Sequence, residues 1–272
     1  MDLMTIIGLV LSLAIVGVVM VMDGGSPAEL FAHPGAILLT MGGAIAATLI
    51  SYPMKSLANI PKWFMLTVMG PSYEAEEAIQ SLTQMADKAR REGLLALEEE
   101  SKKVDDEFLQ RGLMMVVDGV DPSQVRAILE IEIHHLQERH EQGGINFFSA
   151  AGGYGPTMGI IGTVMGLISV LQELDNPGEL GASIAAAFLA TLWGILSANI
   201  IWLPLAGKLR HKSEEEVAYR RLLLEGILAL QSGENPRIVK DKLNAFLPPK
   251  SRSTGEPAAE GAPAGKKAKA AA

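Results

Sequence analysis

Four long stretches without a charged side chain govern what this sequence can fold into. Leu3 to Met22 is a run of twenty uncharged, mostly apolar residues. At about 1.5 Å per helical residue it covers ~30 Å, the thickness of a bilayer's hydrocarbon core. A second uncharged stretch runs from Pro34 to Met54 and carries the small residues Gly42, Gly43, Ala44, Ala46 and Ala47. The third is Ile145 to Leu171 and the fourth Ala182 to Gly207. The first run follows Met1-Asp2, lacks a basic flank and is longer than the apolar core of a signal peptide, so it reads as a retained anchor. The expectation is an all-α membrane protein with four transmembrane helices.

Composition supports a chain divided between lipid and water: 49% of the 272 residues are hydrophobic and 20% are charged, and the two kinds are segregated in blocks. The absence of cysteine excludes a disulfide framework, a thiol nucleophile and a cysteine-based zinc site. A net charge of −8 argues against nucleic acid as a partner, which demands a basic face.

Lysine and arginine set the orientation. The link Asp23 to His33 has neither, and the link Gln172 to Gly181 has only the acidic Glu173, Asp175 and Glu179. Lys55 and Lys62 follow the second run, and Lys208, Arg210 and Lys212 follow the fourth. The long middle loop and both termini are therefore expected in the cytoplasm. The chain divides into residues 1–54 (first two spans), 55–144 (a soluble helical domain), 145–207 (last two spans), 208–247 (C-terminal helices) and 248–272 (a Pro/Ala/Gly/Lys-rich tail expected to lack structure).

Within the loop, Ile79, Leu82, Met85, Ala86 and Ala89 recur at helical spacing and predict a helix over Glu74 to Arg91. Asp121-Pro122 reads as a cap and first-turn proline for a second helix, with Val125, Ile128, Leu129, Glu132 and Leu136 on one face and an end near Gly143-Gly144. Ser213 to Gln231 reads as a further charged amphipathic helix, and Asn235-Pro236 caps a short last one.

The four apolar runs contain no Asp, Glu, Lys, Arg or His. A chain that moves ions needs an ionisable or coordinating group in the membrane, so either it transports nothing alone or a partner helix supplies a carboxylate. Its own polar groups there are chiefly the hydroxyls of Thr163 and Thr191, with Ser169, Ser197 and Asn199 also available. Each threonine has two readings: an ion ligand, or a hydroxyl bonded to its own helix's carbonyl at i−4. Gly155 and Gly159, and again Gly162 and Gly166, stand four residues apart, and Ala190, Gly194 and Ala198 form a second small-residue stripe. Such spacing lets helix backbones approach closely, and a packing seam explains it without further function. Pro156 permits a kink; Pro204 reads either as a kink or as a helix terminator.

Taken in order, these parts resemble the MotA/PomA family of flagellar stator subunits, part of the MotA/TolQ/ExbB proton channel superfamily, over nearly the whole chain to about Leu247. The carrying strings are Ala89-Arg90-Arg91-Glu92-Gly93-Leu94-Leu95-Ala96-Leu97-Glu98 in the loop, Gly155 to Leu171 in the third run, and Thr191-Leu192-Trp193-Gly194 with Asn199 to Ala206 in the fourth. The resemblance implies a ring of subunits, a pentamer in the family, around a dimeric MotB/PomB-type partner whose single membrane helix supplies an essential Asp. It implies that Arg90, Arg91, Glu98 and Glu99 contact the rotor switch protein FliG, that Pro156 and Pro204 couple ion binding to conformational change, and that Thr163 and Thr191 lie on the ion pathway. It implies residence in the bacterial inner membrane, no cofactor and no structural metal, and H⁺ or Na⁺ as the transported ion. Sodium-type members resemble this chain in having threonine at both pathway positions, and a hydroxyl oxygen is a suitable hard ligand for Na⁺. They often carry a further threonine where this chain has Ala190.

Three other readings compete. An ExbB/TolQ-type energiser of outer-membrane processes shares the last two spans but has one span, not two, before its loop. A membrane enzyme could use the His135/His140 pair, with Glu132 and Glu138 nearby, as a metal site. However, His135 and His140 do not stack on one helical face, and no nucleophile triad, P-loop or dinucleotide fingerprint is present. A passive scaffold would tolerate loss of Pro156 or Thr163.

Overall fold

The computed structural model describes residues 3–172 and 177–249, and every regular element among them is helical. The expected unstructured tail lies almost wholly outside the described residues, as do Glu173 and Asp175 of the acidic link. Two compact units are formed, one from Met1–Tyr73 with Arg126–Arg221, the other from Glu74–Val125 with Leu222–Ala272.

In the first unit, α1 (Leu3–Met22) coincides with the first apolar run and has no buried residue, as expected of a helix whose solvent is lipid. The following link is ordered by a capping box. Ser26 Oγ accepts from the Ala28 N–H at 3.3 Å, and the Ser26 N–H donates to the Glu29 carboxylate at 3.3 Å. That single turn presents the Leu30 carbonyl to the indole N–H of Trp193 at 2.7 Å, and the Phe31 ring tilts against the same indole.

Helix α2 (Pro34–Ile50) contains a wide π turn at Leu38–Gly42. Its buried Thr40 and Thr48 hydroxyls donate to carbonyls four residues back, at 2.8 Å each. The helix stops four residues short of the expected Met54. Pro53 adopts an extended backbone and has no N–H with which to continue the ladder.

A short helix, α3 (Ile60–Val68), then returns along the bundle. Its Trp63 packs with Tyr52 and Phe147 around a core of Ile145, Phe147, Phe148, Ala151, Trp202, Ala206 and Leu209.

Two expected helix ends prove to be joints. Helix α7 (Pro122–His140) does not stop at Gly143-Gly144; it passes through a wide turn, Glu141–Ile145, into α8 (Asn146–Gln172). Gly143 alone there leaves helical geometry (φ −89°, ψ −118°). Gly144 is pressed so close that a β-carbon would lie 2.8 Å from Trp63 Cγ and 2.7 Å from Leu209 Cδ1. Likewise α9 (Pro177–Leu196) continues through the wide turn Ser197–Trp202 into α10 (Leu203–Gln231). The separate helix expected from Ser213 is thus the second half of α10. A lone glycine such as Gly207 costs a helix only about 1 kcal/mol, too little to end one that is packed on both sides of it. On α7 the buried face is Val125, Leu129, Ile133 and Leu136. Ile128, expected inside, is exposed.

The second unit is built on α4 (Ala75–Glu92), whose Ile79, Leu82, Met85, Ala86 and Ala89 are buried as their spacing predicts. It also contains α5 (Leu97–Ser101), α6 (Glu107–Val117) and α11 (Pro236–Asn244). Asn235 caps α11 by accepting from the Arg237 N–H at 3.0 Å, as its sequence predicts.

Candidate functional site

Helices α8 and α9 lie against one another along a seam of small residues. A β-carbon on Gly155 would come within 2.9 Å of the Gly194 carbonyl oxygen. One on Gly194 would come within 2.7 Å of the Gly155 oxygen and 3.0 Å of Gly159 Cα. Gly159 faces the Ala190 oxygen and Thr191 Cα at 3.0 Å, Gly162 faces Ala190, and Gly166 faces Ala187. Four of the five glycines singled out by spacing, Gly155, Gly159, Gly166 and Gly194, therefore sit against facing backbone, and Gly162 sits against the Ala190 and Leu39 side chains, the close approach that small residues permit between membrane helices.

Thr163 and Thr191 meet across this seam, their hydroxyls hydrogen-bonded to each other. Thr163 Oγ1 also lies 3.1 Å from the Gly159 carbonyl oxygen and 3.2 Å from that of Ala187. Thr191 Oγ1 lies 3.4 Å from the Gly159 oxygen. Two hydroxyls and two carbonyl oxygens thus converge on one point between two otherwise apolar helices. Two hydroxyl protons serve this set, so it is richer in acceptors than in donors, which suits a proton or a small hard cation. The own-helix bond expected of a membrane threonine is present for Thr163, and the cross-helix contacts are additional to it. By contrast Ser169, Ser197 and Asn199 bond only locally, to the carbonyls of Met165, Gly194 and Ile195.

Pro156 stands inside α8, where it has no N–H to offer the Gly152 carbonyl. Pro204 is the second residue of α10, immediately after the wide turn Ser197–Trp202, which absorbs its missing donor. The outer face of α8 leaves Ile160, Ile161, Val164, Met165, Leu167 and Ile168 exposed, and Phe188 of α9 likewise.

The charged positions form a separate cluster in the second unit. Arg90 and Arg91 end α4; Gly93, at φ +87°, reverses the chain as only glycine does without strain; and α5 opens with Glu98 and Glu99. The arginines and glutamates do not pair with each other. Arg91 binds Asp87 at 2.7 Å, Glu98 binds Lys102 at 2.8 Å, and Glu99 is 3.9 Å from Lys88. Arg90 is exposed and has no ion pair among the described residues. The hydrogen bond from Lys102 holds the Glu98 carboxyl below the usual carboxylate range, so it remains charged.

The hairpin is held by Lys88, which bonds Glu100 at 2.7 Å while Lys103 bonds the same carboxylate at 2.9 Å. The Lys88–Glu100 pair was not readable from the sequence, because the two meet only once the chain reverses at Gly93, whereas Lys103 and Glu100 are local, three residues apart. Leu95, exposed at the tip between the two charged pairs, was also not singled out.

His134 and His135 both contact Glu138, at 3.4 Å and 2.9 Å, on an exposed helix surface. No group of three potential metal ligands forms among the described residues.

Comparison with known proteins bears on the family of the chain. Residues 100–222 match the MotA/TolQ/ExbB proton channel family, and residues 6–93 match the N-terminal region of motility protein A. Motility protein A of Bacillus subtilis (strain 168) is 42% identical over 253 residues, which cover 93% of each chain. Chemotaxis protein PomA of Vibrio alginolyticus is 38% identical over 247 residues, 91% of this chain and 96% of PomA. Among solved structures, C. jejuni MotAB superposes with a TM-score of 0.88 at 33% identity, covering 94% of this chain and 100% of that one. The flagellar MotAB stator complex from Bacillus subtilis superposes with a TM-score of 0.84 at 40% identity, covering 92% and 98%.

Proposed function

The chain belongs to the MotA/TolQ/ExbB proton channel family and is a flagellar stator subunit, and from this premise we propose how its own residues divide the work of turning ion flow into rotation. The observation that carries the reading is the oxygen cluster of Thr163 and Thr191 in a seam that has no carboxylate of its own. A MotB-type subunit, the partner in the related complexes, supplies the missing acid from its membrane helix. The exposed apolar face of α8 is where such a helix packs. The ion passes between that carboxylate and the threonine oxygens. Sodium is the ion favoured by two hydroxyls at this point, although Ala190 offers no third.

Helices α1, α2, α8 and α9 cross the inner membrane, with both termini and the loop between α2 and α8 in the cytoplasm. The distribution of lysine and arginine supports this sidedness. Subunits assemble in a ring, five by analogy with the family, around a partner dimer. Pro156 and the Ser197–Trp202 turn before Pro204 are where α8 and α9–α10 bend when the carboxylate changes charge. Arg90, Arg91, Glu98 and Glu99 carry that motion to the rotor switch protein FliG. Exposed charges suit contacts that are individually weak and re-made at every step. The chain acts as a channel component rather than an enzyme.

The outer-membrane energiser reading is disfavoured by the match of residues 6–93 to motility protein A and by two apolar helices, not one, ahead of the loop.

Charge reversal tests the division of roles. Arg90→Glu should stop swimming while the subunit still co-purifies with its partner in full yield, and a reversing substitution on the rotor should restore motion. Loss of co-purification would show instead that the hairpin serves assembly.

A further inference from the structure

Beyond the ion seam and the charged hairpin, the first unit contains a half-open cavity of about 390 Å³ where α3, the end of α7 and α10 converge. Its polar wall is cationic: Lys62 comes from α3, Arg139 from α7 and Lys212 from α10. One carboxylate, Glu216, faces them, and it is already engaged by Arg220 at 3.0 Å. Lys212 donates to the Leu66 carbonyl at 2.7 Å, which fixes its ammonium at the wall. His140 is held by Ser213 at 2.9 Å. Lys62 and Arg139 have no carboxylate partner among the described residues. Most of the rest of the wall is aromatic or apolar, with Trp63 chief among it, and Asn59 adds a neutral amide.

A half-open pocket of this size, with three basic side chains on its wall and two of them, the exposed Lys62 and Arg139, without a carboxylate partner among the described residues, attracts an anion. Arginine beside lysines favours a phosphate oxygen set over a lone carboxylate. The lining residues also flank the apolar stretches: Lys62 and Trp63 lie on α3, the short helix after α2, His140 and Ile145 just before α8, and Leu209 and Lys212 just past the apolar part of α9–α10. Basic pockets between membrane helices at the cytoplasmic boundary take phospholipid headgroups, and tryptophan is enriched at that level. We propose that this cavity binds the phosphate group of an anionic molecule, with an anionic phospholipid headgroup as its source. The membrane-boundary part of the proposal rests on the four-span placement above; the anion site itself rests on the cavity alone.

The test uses the full chain co-purified with its native partner. In nanodiscs of equal parts phosphatidylglycerol and phosphatidylcholine, lipid retained after extraction is counted by native mass spectrometry. In detergent, inorganic phosphate is titrated while thermal unfolding is followed. The wild-type complex should retain phosphatidylglycerol over phosphatidylcholine by ~10-fold. Lys62→Gln with Arg139→Gln should abolish that preference. Lys55→Gln with Arg210→Gln, which removes the same charge outside the cavity, should keep it, and Lys62→Arg should also keep it.

Stabilisation by millimolar inorganic phosphate that the Lys62/Arg139 variant loses, without lipid discrimination, would keep the anion site and assign it a soluble phosphate. Equal retention and equal phosphate response in wild type and the Lys62/Arg139 variant would overturn the proposal. So would a preference lost equally in the Lys55/Arg210 control. Because the readout is binding and not rotation, its failure leaves the stator reading untouched.

Discussion

A hydrogen atom in place of a side chain at Gly194 is what allows α8 and α9 to touch through their backbones. The atoms that a β-carbon would strike there, the Gly155 oxygen and Gly159 Cα, cannot rotate away. Gly194→Ala should therefore destabilise the folded chain by about 1–3 kcal/mol, measured by denaturant unfolding of the purified complex. Gly207 sits in α10 with nothing within 4 Å of its absent β-carbon. Gly207→Ala should leave stability unchanged or raise it by up to ~1 kcal/mol. The sequence showed the small residues at the right spacing, but could not distinguish those pressed against backbone from those facing open space.

His140 supplies a pH-dependent term. Burial pushes its imidazole below the ordinary value of 6.5, against the pull of the nearby Glu216 carboxylate. Its folded pKa is lower than its unfolded one, so its contribution to stability is present above 6.5 and is lost as pH falls through the folded value. NMR titration of the imidazole should give a midpoint below 6.5, and unfolding midpoints should drop on acidification in wild type more than in His140→Gln. Histidine content alone gave no sign of this, because the burial comes from α10 and the sequence does not say that α10 lies beside it.

The helical elements were legible wherever a start or stop is encoded locally. The charge-free run defines α1, the buried spacing of Ile79 to Ala89 defines α4, and the caps at Asp121-Pro122 and Asn235-Pro236 mark the starts of α7 and α11. Continuity was not legible. Gly143-Gly144 and Pro204 are breaker residues, yet the helix runs on, through the wide turns Glu141–Ile145 and Ser197–Trp202. At Gly143-Gly144, packing by Trp63 and Leu209 compensates for the lost ladder bonds, and those partners are distant in sequence. Such turns are where a helix can change its bend without unfolding. Pro156→Ala returns an N–H to the Gly152 carbonyl and stiffens α8. The variant complex should assemble in normal yield and extract at normal stability, while rotation driven by it falls to near zero. Undiminished rotation would remove Pro156 from the coupling role.

At the scale of the whole molecule, the segregation of charge-free runs from charged helices announced a membrane protein before any geometry was known. Among the described residues, three helices are long and apolar enough to cross a bilayer, and Pro34–Ile50 is a shorter apolar one. The order of these parts also pointed to the family that the comparisons show. Two features had no local signal: the convergence of Thr163 and Thr191 with two carbonyls, and the cationic cavity. The cavity draws on α3, α7 and α10, which are far apart in the chain, and the threonines, though on the consecutive helices α8 and α9, meet only when those helices pack. The threonines alone fit packing as well as ion binding, and only their meeting across the glycine seam favours the second.

The most direct test of that assignment is the rotation speed of tethered cells that lack their own stators and carry this chain with its native partner. Sodium is stepped against potassium at constant pH and membrane potential. Wild-type cells should rotate in sodium and slow to a halt in potassium, and Thr163→Ala cells should not rotate in either. Rotation that is indifferent to sodium and survives Thr163→Ala would contradict the ion role of the threonine pair.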